Sequence, residues 1–428
     1  MATKLVIFGI SGDLSRRKLL PALQKIVASG NFESLEITGV SRRPLVVEEL
    51  LLSSVGETSL VSHTTIFTMD MARQEEYVRL KETLQLKETD QLLVYLSVPP
   101  VATRQIVTLL GKAGLNTPNV KLLLEKPFGV DASSARDMHE HIGRFFSEDQ
   151  VYRIDHYLAK EMAQNIAAFR SGNALFHYVW NNQAIESIEV VASEAIDIEG
   201  RAQFYEQTGA LRDVLQGHLM QLLALVLMEL PGELEWDDIP ARRLKALEQL
   251  CSADPQKACR GQYEGYQDEV NNPGSTTETF VAVELMSDDP RWQGVPLRLI
   301  TGKALDKKTT EIRINFKKLH KMQQNKLIFY VQPGEGVEID VMAKRPGYER
   351  KLETRRLSFT YPDDTVLPEA YEQVLVDAIL SHRSLFTGNQ EVQESWRVLQ
   401  PLLDVWGMNA LPLVYYPKGS PTHAICRV

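Results

Sequence analysis

Cysteine is scarce, with three among 428 residues, at positions 251, 259 and 426. So few thiols exclude a scaffold built on disulfides, and no two have the Cys-x-x-Cys spacing of a structural metal site. No run of about 18 apolar residues stands out, so no membrane span is expected. Basic residues are outnumbered, 47 Lys plus Arg against 56 Asp plus Glu, for a net charge of −9. That balance argues against sequence-independent binding of nucleic acid or of an anionic membrane, while leaving room for a local basic pocket. The apolar opening soon meets Asp13 and a basic cluster, without the long apolar region and cleavage site of a signal peptide. A cytoplasmic protein is expected. What remains is ordinary globular composition, 44% hydrophobic and 24% charged. The length allows two or three domains at about 150 residues each.

The first part of the chain alternates between short apolar runs and helical periodicity. Strands are expected at 4–10, 35–40, 92–98 and 121–124, with helices at 14–28, 73–86, from Pro100 to 113, and 133–146. Short apolar strands alternating with helices indicate a parallel sheet covered on both faces. The stretch 53–65 reads as a polar loop. Beyond about residue 160 the pattern changes. Strand candidates at 185–192, 279–285, 297–301, 310–316, 326–331, 336–343 and 355–361 are flanked by helical patterns at 161–171, 205–229, 239–250, 368–383 and 389–405. Strands gathered in one block indicate an α+β domain with a mainly antiparallel sheet. The expected organisation is an α/β Rossmann-type N-terminal domain, 1–160, and an α+β C-terminal domain, 161–428. There is no internal repeat and no low-complexity linker.

Gly9-Ile10-Ser11-Gly12-Asp13-Leu14 joins the first strand to the first helix. Glycines at a first βα turn let the backbone approach a pyrophosphate, and the helix N-terminus favours its charge. The spacing is GxxGDL rather than GxGxxG, so its place in a βαβ pattern carries the argument. The second strand runs into Ser41-Arg42-Arg43, where an NAD site usually places an acid; arginine there suits a 2′-phosphate. Arg16, Arg17 and Lys18 add charge of the same sign, and NADP is preferred over NAD.

At Arg153-Ile154-Asp155-His156-Tyr157-Leu158-Ala159-Lys160-Glu161 the chain resembles the glucose-6-phosphate dehydrogenase family, whose signature is RIDHYLGKE. Other landmarks follow in family order: the GxxGDL turn, Glu125-Lys126-Pro127-Phe128-Gly129, GALRDVLQGH at 209–218, RWQGVPLRLITGKAL at 291–305, and Pro368-Glu369-Ala370-Tyr371-Glu372 with Trp396. The resemblance implies oxidation of glucose 6-phosphate to 6-phosphogluconolactone with NADP, and assembly as a homodimer or homotetramer. In eukaryotic members a C-terminal extension helps form a second, structural NADP site. This sequence ends at Val428, soon after Gly419-Ser420-Pro421-Thr422, and no second site is expected.

Oxidising a sugar hemiacetal requires a base for the hydroxyl proton, and histidine suits that role near neutral pH. Among nine histidines, the resemblance selects His218 as the base and Asp155 as its orienting carboxylate. Asp213 lies nearer in sequence, but on an α-helix five residues turn the side chains about 140° apart. The resemblance gives Asp213 a sugar hydroxyl instead. It assigns the substrate phosphate to His156, Tyr157 and Lys160, of which His156 and Lys160 would share one face if the segment is helical. It also implies substrate contacts for Lys126, Glu194, Lys303 and Lys308, and cofactor contacts for Gly9, Ser11, Gly12, Asp13, Leu14, Arg42 and Lys126. Several basic groups around one anion would invert the local sign of an acidic protein, as capture of a sugar phosphate requires. Trp180 and Trp292 read as core. Ile10, Ala159, Gly217 and Ile300 depart from the family pattern, and Ile10 is expected to add bulk beside the turn. A dehydrogenase for another sugar and a non-catalytic NADP-binding sensor remain open rivals at this point.

Overall fold

The computed structural model describes residues 2–319, 323–362 and 365–426. Two compact units emerge: Met1–Gly129 with Ser133–Ala159 and Pro368–Asn389, and Val130–Ala132 with Lys160–Leu367 and Gln390–Val428. The stretch Pro368–Asn389, expected within the domain 161–428, packs in the first unit. Its helix Ala370–Leu380 lies against Leu20–Ala28. The Lys121 ammonium donates to the Ala378 carbonyl at 2.6 Å and to the Ser381 hydroxyl at 2.7 Å.

The first unit is a seven-stranded sheet. Its strands are β1 (Thr3–Phe8), β2 (Leu35–Ser41), β3 (Thr64–Thr68), β4 (Gln91–Leu96), β5 (Val120–Leu124) and β6 (Val151–Ile154), with the short strand Phe386–Thr387 at one edge. The spatial order is Phe386–Thr387, β6, β5, β4, β1, β2, β3, and all pairs are parallel except the Phe386–Thr387 edge. Every residue of β4 is buried, as a central strand covered on both faces demands. One core holds Leu5, Ile7 and Leu93 against the helices Leu20–Ala28 and Ala370–Leu380; the other holds Val6, Phe8 and Val94 against Leu80, Ile106 and Leu110. The expected loop at 53–65 is instead the end of a helix, Val47–Val55, a 3₁₀ turn, Ser59–His63, and the start of β3. A strand of Thr-Thr-Ile-Phe-Thr is too polar to read as one, but at the sheet edge its threonines reach neighbours: Thr65 Oγ1 donates to the Ile37 carbonyl at 3.3 Å.

The second unit carries a nine-stranded, mainly antiparallel sheet: β7 (Ile185–Ser193), β8 (Ala258–Tyr263), β9 (Phe280–Leu285), β10 (Leu297–Gly302), β11 (Thr309–Phe316), β12 (Lys326–Gln332), β13 (Gly336–Lys344), β14 (Leu352–Thr360) and β15 (Leu413–Tyr416). Their order is β14-β13-β12-β11-β7-β10-β9-β8-β15, with β7·β10 and β8·β15 the parallel pairs. Among the described residues, the helical run Ala202–Leu227 is long and apolar enough to cross a membrane by length and composition. Arg212, Asp213 and His218 interrupt it as a sequence, yet 78% of its most apolar window is buried inside the protein. The indoles of Trp180 and Trp292 donate to its last carbonyls, Val226 at 2.8 Å and Leu227 at 2.9 Å, so both tryptophans are core as expected. Cys259 and Cys426 are joined as a disulfide with Cα atoms 6.3 Å apart, a pairing the low cysteine count gave no reason to expect. Cys251 stays free, its thiol pushed up chiefly by burial.

Candidate active site

The cofactor end belongs to the first unit. Gly9 has φ of 83°, and a Cβ there would overlap the Ser97 carbonyl oxygen, so no other residue fits the turn. The Gly12 amide donates to the Gly9 carbonyl at 2.9 Å, and Ser15 Oγ donates to the same oxygen at 3.0 Å. Above this turn opens a cavity of about 500 Å³ lined by Gly9, Ser11, Gly12, Arg42, Asp70 and Val98, among others. It lies beyond the carboxyl ends of β1, β2 and β4, where parallel sheets bind ligands. Its size and glycine floor suit the adenosine and pyrophosphate of a dinucleotide.

Arg42 lines this cavity, whereas Arg43 does not. The neighbouring cations are engaged: Arg16 Nε donates to the Ser11 carbonyl at 3.1 Å, Arg17 pairs with Asp13 at 2.7 Å, and Lys18 with Glu369 at 3.2 Å. Asp13 therefore points to Arg17, and Leu14 packs against the core; neither lines the cavity. Ile10 is fully buried, packed over Gly39, which removes the expected bulk at the turn. Asp70 was not legible as a site residue. It follows β3, the strand that the sequence hid, and its carboxylate accepts from the Ala72 amide at 3.0 Å.

Beyond β5 and β6 the same unit gathers acids and phenols. Tyr95 and Tyr371 both hydrogen-bond the Glu125 carboxylate. Burial pushes Glu125 up to about 7, the negative charge of Asp155 adds to this, and Lys126 and the two tyrosines oppose it. Asp155 is buried, with one oxygen accepting from the Tyr157 amide at 2.9 Å. His156 stacks on Tyr371, centroids 6.2 Å apart. Residues 156–159 form a turn and the helix begins only at Glu161, so His156 and Lys160 do not share a helical face. β6 ends at Ile154, and Asp155 turns back its oxygen to the chain two residues on, a local bond that competes with helix.

In the second unit, parallel β7 and β10 end side by side, Ser193 opposite Gly302. The next residue of each is charged, and Glu194 and Lys303 form a close ion pair. Lys303 is buried, its ammonium 5.4 Å from the centroid of the Tyr205 ring. Burial pushes the Tyr205 hydroxyl well up, and the carboxylates of Asp213, Glu278 and Glu194 push the same way. Lys308 is exposed in the loop before β11, beside Lys307, whose carbonyl accepts from Ser193 Oγ at 2.8 Å.

The helix bearing Asp213 and His218 is a π-helix over Leu211–Leu219, entered through Gly209 at φ of 64° and fixed by Leu211 N donating to Glu278 Oε1 at 3.0 Å. Hydrogen bonds from i to i+5 bring residues five apart near one face, so the 140° divergence expected from an α-helix does not hold here. Gly209 cannot be replaced without displacing Glu278, because a Cβ would meet its carboxylate. His218 is buried on this helix.

Comparison with known proteins agrees across the length of the chain. Residues 6–165 match the family described as "Glucose-6-phosphate dehydrogenase, NAD binding domain", and residues 167–424 match "Glucose-6-phosphate dehydrogenase, C-terminal domain". A glucose-6-phosphate 1-dehydrogenase of Chlamydia muridarum is 36% identical, covering 97% of this chain and 92% of the relative. That of Bacillus subtilis is 34% identical over 97% and 94%. A solved structure, "Glucose-6-phosphate dehydrogenase in complex with its substrate glucose-6-phosphate", is 31% identical and superimposes with a TM-score of 0.91, covering 98% of this chain and 95% of that one. With both domains matched end to end, the chain belongs to the glucose-6-phosphate dehydrogenase family.

Proposed function

We propose that the chain oxidises D-glucose 6-phosphate at C1 to 6-phospho-D-glucono-1,5-lactone with hydride transfer to NADP⁺, the entry step of the oxidative pentose phosphate route. The observation that carries this reading is the full-length likeness, at a TM-score of 0.91, to a structure named for its complex with glucose 6-phosphate. His218 acts as the base: an imidazole nitrogen takes the C1 hydroxyl proton, and Asp155 holds the tautomer and stabilises the imidazolium. The Tyr157 amide on one Asp155 oxygen supports that role by fixing the carboxylate. Glu194, Asp213 and Lys303 bind the sugar; His156, Tyr157, Lys160 and Lys308 bind its phosphate; and Lys126 contacts substrate and cofactor.

NADP⁺, when bound, supplies the hydride acceptor. Gly9, Ser11 and Gly12 hold its pyrophosphate, and Arg42 holds the 2′-phosphate that distinguishes it from NAD⁺. The glycine-floored cavity supports this fit. The enzyme is cytoplasmic, with neither nucleic acid nor membrane as partner, and forms a homodimer or homotetramer. The exposed apolar side chains of β14, Leu357 and Phe359, support association through the large sheet. Comparing glucose 6-phosphate with free glucose tests the reading. A kcat/KM at least about 100-fold higher for the phosphorylated sugar is expected from several charge-assisted contacts. Equal values would discard the phosphate site.

A further inference from the structure

The helix Glu161–Gly172 begins without a side-chain cap of its own. Its N-cap residue is Lys160, whose ammonium only donates and cannot serve the orphan amides of the first turn. The Met162 amide is nevertheless satisfied, by Glu335 Oε2 at 2.6 Å, from 173 residues further along the chain. Glu335 stands in the turn between β12 and β13, after Gly334 at φ of 70°. The strand end that leads into this turn is fastened to its neighbour, because Gln332 Nε2 donates to Thr310 Oγ1 on β11 at 3.2 Å. The sheet therefore delivers the acceptor that the helix lacks.

Among the described residues, the Met162 amide, the Lys160 ammonium, the Glu161 carboxylate and the Tyr361 hydroxyl face the Glu335 carboxylate. Burial is the largest influence and holds the Glu335 carboxyl above its ordinary value, with Glu161 adding to it, while the Met162 amide and the Lys160 ammonium work against the rise. A carboxylate at a helix N-terminus is favoured by the macrodipole as well as by the hydrogen bond. The same contact lies two residues from Lys160, which stands immediately before the first turn. Lys160 makes no ion pair of its own among the described residues, so its ammonium is attracted by Glu335 at longer range and remains open to another anion.

We propose that Glu335 is a positioning residue for the sugar-phosphate subsite: by capping the helix at Met162 it fixes Lys160 to meet the phosphate dianion. The proposal rests on the reading of Lys160 as a phosphate contact. The test measures kcat, KM for glucose 6-phosphate, KM for NADP⁺ and melting temperature for the full chain and for K160A, E335A and E335Q. E335A is expected to raise KM for glucose 6-phosphate about five- to tenfold, as loss of a cap implies. Its kcat and KM for NADP⁺ should stay within about twofold, a margin well under one tenfold step. E335Q keeps an acceptor oxygen and should recover most of the loss. E335D, whose carboxylate is withdrawn by one methylene, should repeat the alanine result and replaces it if the alanine variant does not fold. A raised KM in K160A with an unchanged KM in E335A and E335D overturns the role of Glu335 alone. An unchanged KM in K160A overturns the phosphate reading of Lys160 and the proposal with it. Equal losses for substrate and cofactor, accompanied by a lower melting temperature, would reduce Glu335 to a structural cap and overturn the positioning role.

Discussion

In the first unit the Gly9 turn leaves room for a ligand because a side chain is missing, and a Cβ would already strike the Ser97 carbonyl. In the second, the ends of β7 and β10 set two charged side chains, Glu194 and Lys303, next to each other by strand register. One surface is shaped by backbone and suits a ligand bound largely by main-chain amides; the other is shaped by charge and suits a hydroxylated anion. The units also differ in how their helices serve chemistry. In the first, a helix starts just after Gly12, whose own amide closes the turn onto the Gly9 carbonyl. In the second, a π-helix interior carries Asp213, half-buried, and His218, buried, five residues apart.

Breaking the side-chain half should cost most. H218N, which removes the proposed base, is expected to lower kcat by about 10²–10⁴-fold, the usual worth of a positioned base. The dissociation constant for NADP⁺, read by fluorescence titration, should be unchanged; a kcat within twofold of the parent would discard the base. Breaking the backbone half should show the reverse pattern. G9A forces a left-handed φ on alanine and a collision with Ser97, worth about 1–3 kcal/mol, so affinity for NADP⁺ should fall about 10- to 100-fold. Isothermal calorimetry reads this directly, and undiminished affinity would place the pyrophosphate elsewhere.

A smaller effect sharpens the contrast inside the first unit. Glu125 is raised in the folded chain from an ordinary 4.5 to about 7, mainly by burial. The folded state thus holds a proton that the unfolded chain releases, and stability falls as pH rises from about 4.5 to about 7. E125Q should flatten the pH dependence of urea midpoints over that interval. A slope identical to the parent's would mean that Glu125 does not carry the linkage.

Much of this was legible in the sequence, for reasons that can be traced. Buried parallel strands such as Gln91–Leu96 are continuous apolar runs, and the amphipathic helices Gln74–Leu84 and Pro100–Lys112 keep their period. What escaped was set by tertiary context. β3 is polar enough to read as a loop, and with it went Asp70, which reaches the cavity above Gly9 only because β3 pairs with β2. The π-helix at Leu211–Leu219 has the composition of an α-helix; its altered register depends on Gly209 and on the Glu278 carboxylate, far along the chain. The turn at 156–159 hides behind helix-compatible residues because Asp155 bonds the Tyr157 amide. The glycine turn after β1, by contrast, was readable because backbone conformation is written in residue type at that position.

The central claim, oxidation of glucose 6-phosphate with NADP⁺, is tested most directly by following nicotinamide reduction with purified protein, that substrate, and either NADP⁺ or NAD⁺. The account predicts fast reduction with NADP⁺ and a kcat/KM about tenfold or more lower with NAD⁺, a preference that R42A narrows. No reduction with either cofactor, in a folded protein that still binds NADP⁺, would contradict it.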